Sequence, residues 1–237
     1  MKYMGSKNRF AKEILQILLK NRKPNQWYIE PFAGGMNVIS EVTGNRIAND
    51  IHFYLIEMWK ELCNGWVPQK ITKEEYKQIK ANQDFYPPAL VGWVGFNCSY
   101  SGKWFGGYAG ETQTKVGTIR DYQLEAIKNI KNQVGKMKGV IFQNVSYDQI
   151  KLPPNSLIYC DPPYKGTTPY NHKFNHEKFW DWVRATQLQG HVVFTSEYHA
   201  PSDFSCIWEK QASSSLSANG KSGGNKMSLE RLFVYKE

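Results

Sequence analysis

Four apolar residues, Leu157-Ile158-Tyr159-Cys160, run without a break into Asp161-Pro162-Pro163-Tyr164. Little else in the chain restricts its fold so tightly. The prolines lack a backbone N–H and fix φ, so neither a helix nor an interior strand ladder can run through them. The apolar run must be a short buried strand that stops at Cys160 and enters a rigid turn. That turn also has chemical content. With two donors removed, Asp161 and the Pro162 carbonyl can both accept from one amino group. Tyr164 can stack on the ring that bears it.

A second strand end of this kind lies near the start. Trp27–Glu30 reads as a strand and Pro31-Phe32-Ala33-Gly34-Gly35 as its turn. Met36 to Thr43 reads as a short helix, and Arg46–Asn49 as a second strand ending at Asp50. Together they make a βαβ unit. Glycines in such a turn let a ligand approach the backbone, and a helix N-terminus offers unpaired N–H groups. An acid at the end of the next strand can accept from both ribose hydroxyls of a nucleoside cofactor. The plainer reading is an ordinary tight turn followed by a solvent-facing aspartate. The spacing is not G-x-G-x-x-G, which weighs against a dinucleotide.

Elsewhere the periodicity changes along the chain. Phe10, Ile14, Ile17 and Leu18 share one helical face. Helical pieces are expected at Lys73–Asn82 and Asp121–Gln133, separated by Phe85–Gly117, a run rich in glycine, aromatic and polar residues. So long an irregular stretch fits an inserted functional lobe better than a compact core. Strands are expected at Val140–Gln143, Leu157–Cys160, His191–Ser196, Cys206–Lys210 and Leu229–Tyr235, with a helix at Asn175–Leu188. The Ser/Gly-rich run Ser213–Asn225 reads as a mobile connection. The expected fold is α/β: a mostly parallel, Rossmann-like sheet in a discontinuous domain, 1–59 and 136–237, interrupted by a mostly helical lobe over 60–135.

Thirty Lys and Arg against 21 Asp and Glu leave a net charge of +9, which favours a polyanionic partner, nucleic acid before an anionic membrane. Residues 60–140 hold 12 basic and 7 acidic side chains, so the excess is densest in and around the lobe. No apolar run reaches the length of a membrane span, and no signal-peptide core follows the basic N-terminus. Cys63, Cys98, Cys160 and Cys206 are never paired as C-x-x-C, which suits a reducing compartment. The histidines (52, 172, 176, 191 and 199) show no metal-ligand spacing, so no metal is expected. A cytoplasmic protein is the expectation.

With these motifs in this order the sequence resembles the DNA adenine N6-methyltransferases of the Dam type, the α group of amino-methyltransferases. The resemblance runs almost end to end. Tyr3-Met4-Gly5-Ser6-Lys7 is similar to the family's N-terminal cofactor motif, Glu30–Gly35 to its S-adenosylmethionine loop, Asp50 to its ribose-binding acid, and Asp161–Tyr164 to its catalytic tetrapeptide. Gly34-Gly35-Met36 stands where Gly-x-Gly is commoner. The resemblance implies S-adenosylmethionine as methyl donor and an adenine of double-stranded DNA as acceptor, flipped out of the helix to reach the site.

It also implies roles. Asp161 and the Pro162 carbonyl would accept from the adenine amino group, Pro163 would stiffen the turn and Tyr164 would stack on the base. Tyr3, Lys7, Glu30, Pro31, Phe32, Gly34, Gly35, Asp50 and Asp161 would line the cofactor pocket, with Ser146 and Tyr147 near its adenine end. For DNA contact the candidates are Lys103, Lys115 and Arg120 in the lobe and Lys221 and Lys226 in the late loop, against the plain reading of a solvated basic surface. A restriction enzyme is a compatible partner. The same chemistry suits cytosine N4 or an RNA amino group, and a catalytically silent DNA-binding relative would keep the fold.

Overall fold

Ile14 and Leu18, each 1% exposed, form with Leu15 the inward stripe of the first helix, α1 (Ala11–Leu18), which the buried Phe10 precedes, while Ile17 is only half-buried. The computed structural model describes residues 1–114, 116–165, 174–214 and 226–236, with backbone alone at 212–214 and 226–228. The chain divides into two compact units, Met1–Lys151 and Leu152–Glu237.

In the first unit β1 (Tyr28–Glu30) and β2 (Arg46–Asn49) are buried at every residue and run parallel, Tyr28 opposite Arg46. The helix expected between them does not form. Only a single 3-10 turn, Ile39–Glu41, is present. Met36 sits at φ +57°, which a right-handed helix cannot contain, and the Gly35 carbonyl accepts from Gln133 Nε2 at 3.0 Å. Next comes α2 (Phe53–Cys63), a helix the sequence reading did not separate out. The helix α3 (Lys73–Ala81) opens with a full capping box between Thr72 and Glu75.

Phe85–Gly117, expected to be irregular, contains α4 (Pro88–Asn97), opened by a proline in its first turn. Eight of its ten residues are buried, so it has no polar face by which to recognise it. Gly92 is the point where α4 meets α2: a β-carbon there would stand 2.1 Å from the Tyr54 carbonyl oxygen. A small hairpin follows, β3 (Glu111–Gln113) antiparallel to β4 (Ile119–Asp121), with Lys115 outside the described residues. Asp121 then caps α5 (Tyr122–Val134), and β5 (Val140–Gln143) lies parallel to β2. The segment 60–135, which holds α3 to α5 and the hairpin, falls within this first unit.

One buried cation ties these strands to their flank. Arg46, 5% exposed on β2, donates to the carbonyls of Ile39 (3.3 Å), Lys136 (2.8 Å) and Lys138 (2.7 Å). Its guanidinium thereby replaces part of its lost hydration with backbone oxygens.

In the second unit β6 (Leu157–Cys160) and β7 (Val192–Glu197) are parallel, joined by α6 (His176–Leu188), whose N-terminus is capped by Asn175. β8 (Phe204–Ser214) and β9 (Lys226–Tyr235) form a long antiparallel ribbon, with β9 also antiparallel to β7. Both are longer than expected, because the backbone ladder continues to the pair Ser214 and Lys226. Residues 215–225, the greater part of the Ser/Gly-rich run, lie outside the description, as do 166–173. Parallel strands joined by crossovers, closed by a reversed ribbon, make this a Rossmann-like α/β construction. Among the described residues no helix is long and apolar enough to cross a membrane.

Candidate active site

Chemistry-bearing residues gather at two strand ends. At the end of β2 the Asp50 carboxylate is 8% exposed and both its oxygens are engaged: Oδ2 accepts the Gly34 N–H at 2.9 Å and Oδ1 the His52 N–H at 2.9 Å. Burial nonetheless pushes this carboxyl above its ordinary range, with the two backbone donors pulling the other way. Each oxygen still has a second lone pair for a ligand hydroxyl. The solvent-facing aspartate of an ordinary turn is therefore not what this residue is.

The glycine turn packs on the N-terminal segment. Gly34 has φ +47°, and a β-carbon there would stand 2.8 Å from Tyr3 Cε1; one at Gly35 would stand 2.7 Å from Tyr3 Cβ. Only glycine lets Tyr3 lie this close. Lys7, 7% exposed, points Nζ at the Gly5 carbonyl, 3.3 Å away. Glu30 is also buried and accepts from the Tyr28 hydroxyl at 2.8 Å. Asn49 donates to the Pro31 carbonyl at 2.9 Å, and Phe32 meets the Tyr147 ring at 5.4 Å. Ser146 bonds to Asp148. The first unit thus brings Tyr3, Phe32, Gly34, Gly35, Asp50 and Tyr147 into one connected neighbourhood.

His52, which sequence reasoning assigned no role, belongs to it. Its ring stands edge-on to Trp104 at 4.3 Å and Phe96 at 4.9 Å, and Phe96 in turn meets Tyr3 at 5.4 Å. An aromatic cluster therefore joins the Asp50 strand end to the segment carrying α4 and Lys103.

In the second unit Asp161–Tyr164 leaves β6 as an irregular turn, with Pro162 buried and Asp161, Pro163 and Tyr164 half-buried. The Tyr164 hydroxyl donates to Glu230 at 3.0 Å and its ring meets Tyr198 edge-on at 4.6 Å. Burial, then the negative charges of Asp161 and Glu230, raise its phenol well above the ordinary range, so Tyr164 stays protonated. Beside the turn, Glu197 ends β7, 2% exposed. The rule that singled out Asp50, an acid closing a buried parallel strand, also describes Glu197, and the sequence reading passed over it.

The basic candidates are more dispersed. Lys103 is exposed just after the turn Tyr100–Gly102. Arg120 is exposed but engaged, donating to both oxygens of Glu125 at 2.6 and 2.9 Å and lying 4.6 Å from the Tyr122 ring centre. Lys2 shares Glu125 at 3.0 Å. Lys115 and Lys221 lie outside the described residues, and so does the side chain of Lys226. Among the described residues no group of three or more His, Cys, Asp or Glu is placed to hold a metal ion.

Comparison with known proteins matches residues 3–88 and 97–206 to the family described as D12 class N6 adenine-specific DNA methyltransferase. The chain is 25% identical to the type II methyltransferase M.FokI of Planomicrobium okeanokoites and 24% identical to the modification methylase StsI of Streptococcus sanguinis, in each case over 80% of this chain and 32% of the relative. It spans about a third of the length of these curated relatives. Among solved structures it is similar to a putative methyltransferase, yhhF, of Escherichia coli, with a TM-score of 0.38 and 11% identity over 95% of this chain and 84% of that one.

Proposed function

This chain belongs to the D12 class N6 adenine-specific DNA methyltransferases, and on that premise we propose that it methylates the N6 amino group of an adenine at a specific site in double-stranded DNA. The observation that carries the proposal is the Asp161-Pro162-Pro163-Tyr164 turn at the end of a buried parallel strand. S-adenosylmethionine would supply the activated methyl group. The residues at the end of β2 fit a nucleoside cofactor: two glycines let Tyr3 close over the turn, and Asp50 is held by the backbone with lone pairs to spare for ribose hydroxyls. Tyr3, Lys7, Glu30, Pro31, Phe32, Ser146 and Tyr147 would complete that pocket.

The adenine amino nitrogen is a poor nucleophile, because its lone pair is delocalised into the ring. Asp161 and the Pro162 carbonyl, both accepting from that group, would draw the pair back onto nitrogen and fix its direction. Tyr164, its hydroxyl anchored on Glu230, would hold the flipped base by stacking, which is worth roughly 1–3 kcal/mol per base. The remaining work is positioning within about 3–3.5 Å of the methyl group. Lys103, Lys115, Arg120, Lys221 and Lys226 are the proposed DNA contacts, and 60–135 the proposed recognition lobe. A restriction enzyme of the same specificity is the partner this activity would suit.

The test is transfer of labelled methyl from S-adenosylmethionine to duplex DNA, followed by nucleoside analysis. N6-methyladenine is the expected product. N4-methylcytosine, methylated RNA alone, or DNA binding with no transfer would each replace the proposal with the corresponding alternative.

A further inference from the structure

The catalytic turn needs something to hold it, because its own prolines cannot donate to a neighbouring strand. Just after it, the Lys165 N–H donates to Glu197 Oε2 at 3.1 Å. The other oxygen, Oε1, accepts the Tyr198 N–H at 2.7 Å. Tyr198 is the residue whose ring meets Tyr164, and its carbonyl accepts from Arg231 Nη1 at 2.7 Å. His176 Nδ1 stands 3.8 Å from Glu197 Oε2. A carboxylate 2% exposed is costly to bury, so two convergent backbone donors give this one a reason to be there.

We infer that Glu197 is a positioning residue for methyl transfer: its two oxygens clamp the backbone at Lys165 and Tyr198 and so fix the Asp161–Tyr164 turn. The inference rests on the reading of that turn as the site of transfer. Glu197 touches neither base nor donor in this scheme; it acts through Tyr164 and the backbone after it. Glutamate is suited to the place because both oxygens accept. A glutamine there would present one oxygen to one N–H and an NH2 group to the other, so E197Q keeps the shape and loses half of the clamp.

Two measurements on the full chain test this. Amide hydrogen exchange should show the Lys165 N–H exchanging about tenfold faster or more in E197A, with E197Q between it and the unaltered protein. Steady-state kinetics with duplex DNA should show kcat at least about tenfold lower in E197A and reduced less in E197Q, while KM for S-adenosylmethionine stays within about threefold. Unchanged exchange at Lys165, unchanged kcat, or a rise in donor KM matching the loss in kcat would overturn the inference. If E197A does not fold, E197Q decides by the same criteria. Absence of methyl transfer by the unaltered chain would instead overturn the proposed function, leaving the exchange rates to decide the clamp.

Discussion

The imidazole of His52 meets the indole of Trp104 edge-on, with ring centres 4.3 Å apart, and its Nδ1 is buried with no hydrogen-bond partner among the described residues. Burial pulls the imidazole pKa down to about 4, against a smaller opposing pull from a backbone hydrogen bond at His52 itself. His52 should therefore stay neutral from pH 8 to 5, which NMR of its ring protons would check. Because the unfolded chain takes up this proton first, near pH 6.5, the neutral ring stabilises the fold above that pH. This contribution should be lost as pH falls from 6.5 towards 4. Denaturant midpoints for the unaltered protein and His52→Phe should converge over that interval.

Gly95 lies beneath the same indole. A β-carbon at residue 95 would stand 2.1 Å from Trp104 Cζ3, so the ring or the helix must move to admit it. Gly95→Ala is expected to destabilise the protein by about 1–3 kcal/mol despite its gain in helix propensity. Thermal unfolding should show a midpoint lower by roughly 2–4 °C for each kcal/mol.

Removing the carboxylate proposed to accept from the target amino group should stop the chemistry. Asp161→Ala is expected to lower kcat by about a hundredfold or more. Calorimetric titration should find the loss of S-adenosylmethionine affinity, for which Asp161 is one of several proposed lining residues, much smaller than the loss of kcat. Turnover like that of the unaltered protein would show that Asp161 is not the acceptor.

Asp50 should reveal itself on the donor side. Loss of a charged acceptor for ribose hydroxyls costs about 1.5–3 kcal/mol, so Asp50→Ala should weaken S-adenosylmethionine binding roughly 10–150-fold, with DNA affinity at fixed salt unchanged. Since burial raises this carboxyl, its charge is lost on acidification sooner than that of an ordinary aspartate. KM for S-adenosylmethionine should rise as pH falls, beginning above the usual carboxylate range, and Asp50→Asn should flatten that dependence.

Arg120 is held by a carboxylate that competes with any phosphate. Arg120 and Lys2 together hold Glu125 down to about 2, so it remains charged under working conditions. Glu125→Gln should strengthen binding to random duplexes, and Arg120→Ala should make the salt slope shallower by about one unit. A change confined to cognate duplexes would instead mark Arg120 as a base-edge contact. A salt series on both duplexes separates the two.

Both strand ends were legible because local chemistry fixes them. Two prolines stop β6 at Cys160 whatever else the chain does, and the Gly44-Asn45 break before it and Asp50 after it bound β2. Other features depend on distant partners. The α4 helix is apolar all round, so it shows no amphipathic period, and its Gly92 and Gly95 look like loop residues until Tyr54 and Trp104 are in place against them. The failed helix after Gly35 turns on Gln133, 98 residues away, and on a left-handed Met36 that no propensity scale anticipates. Glu197 carried a readable signal, whereas the engagement of Arg120 by Glu125 needed the cap at Asp121 to bring α5 beside the hairpin.

The buried guanidinium of Arg46 also sets an order of assembly. Two of its three carbonyl partners, on Lys136 and Lys138, lie 90 and 92 residues further along the chain. A polypeptide growing from the ribosome therefore carries β1 and β2 for the whole synthesis of α2 to α5 before that cation can be satisfied and β5 can cover the open edge of β2. Over that interval the nascent chain carries the β2 edge unpaired and the Arg46 guanidinium still in water, so this part of the sheet can lock only once Lys138 has been made.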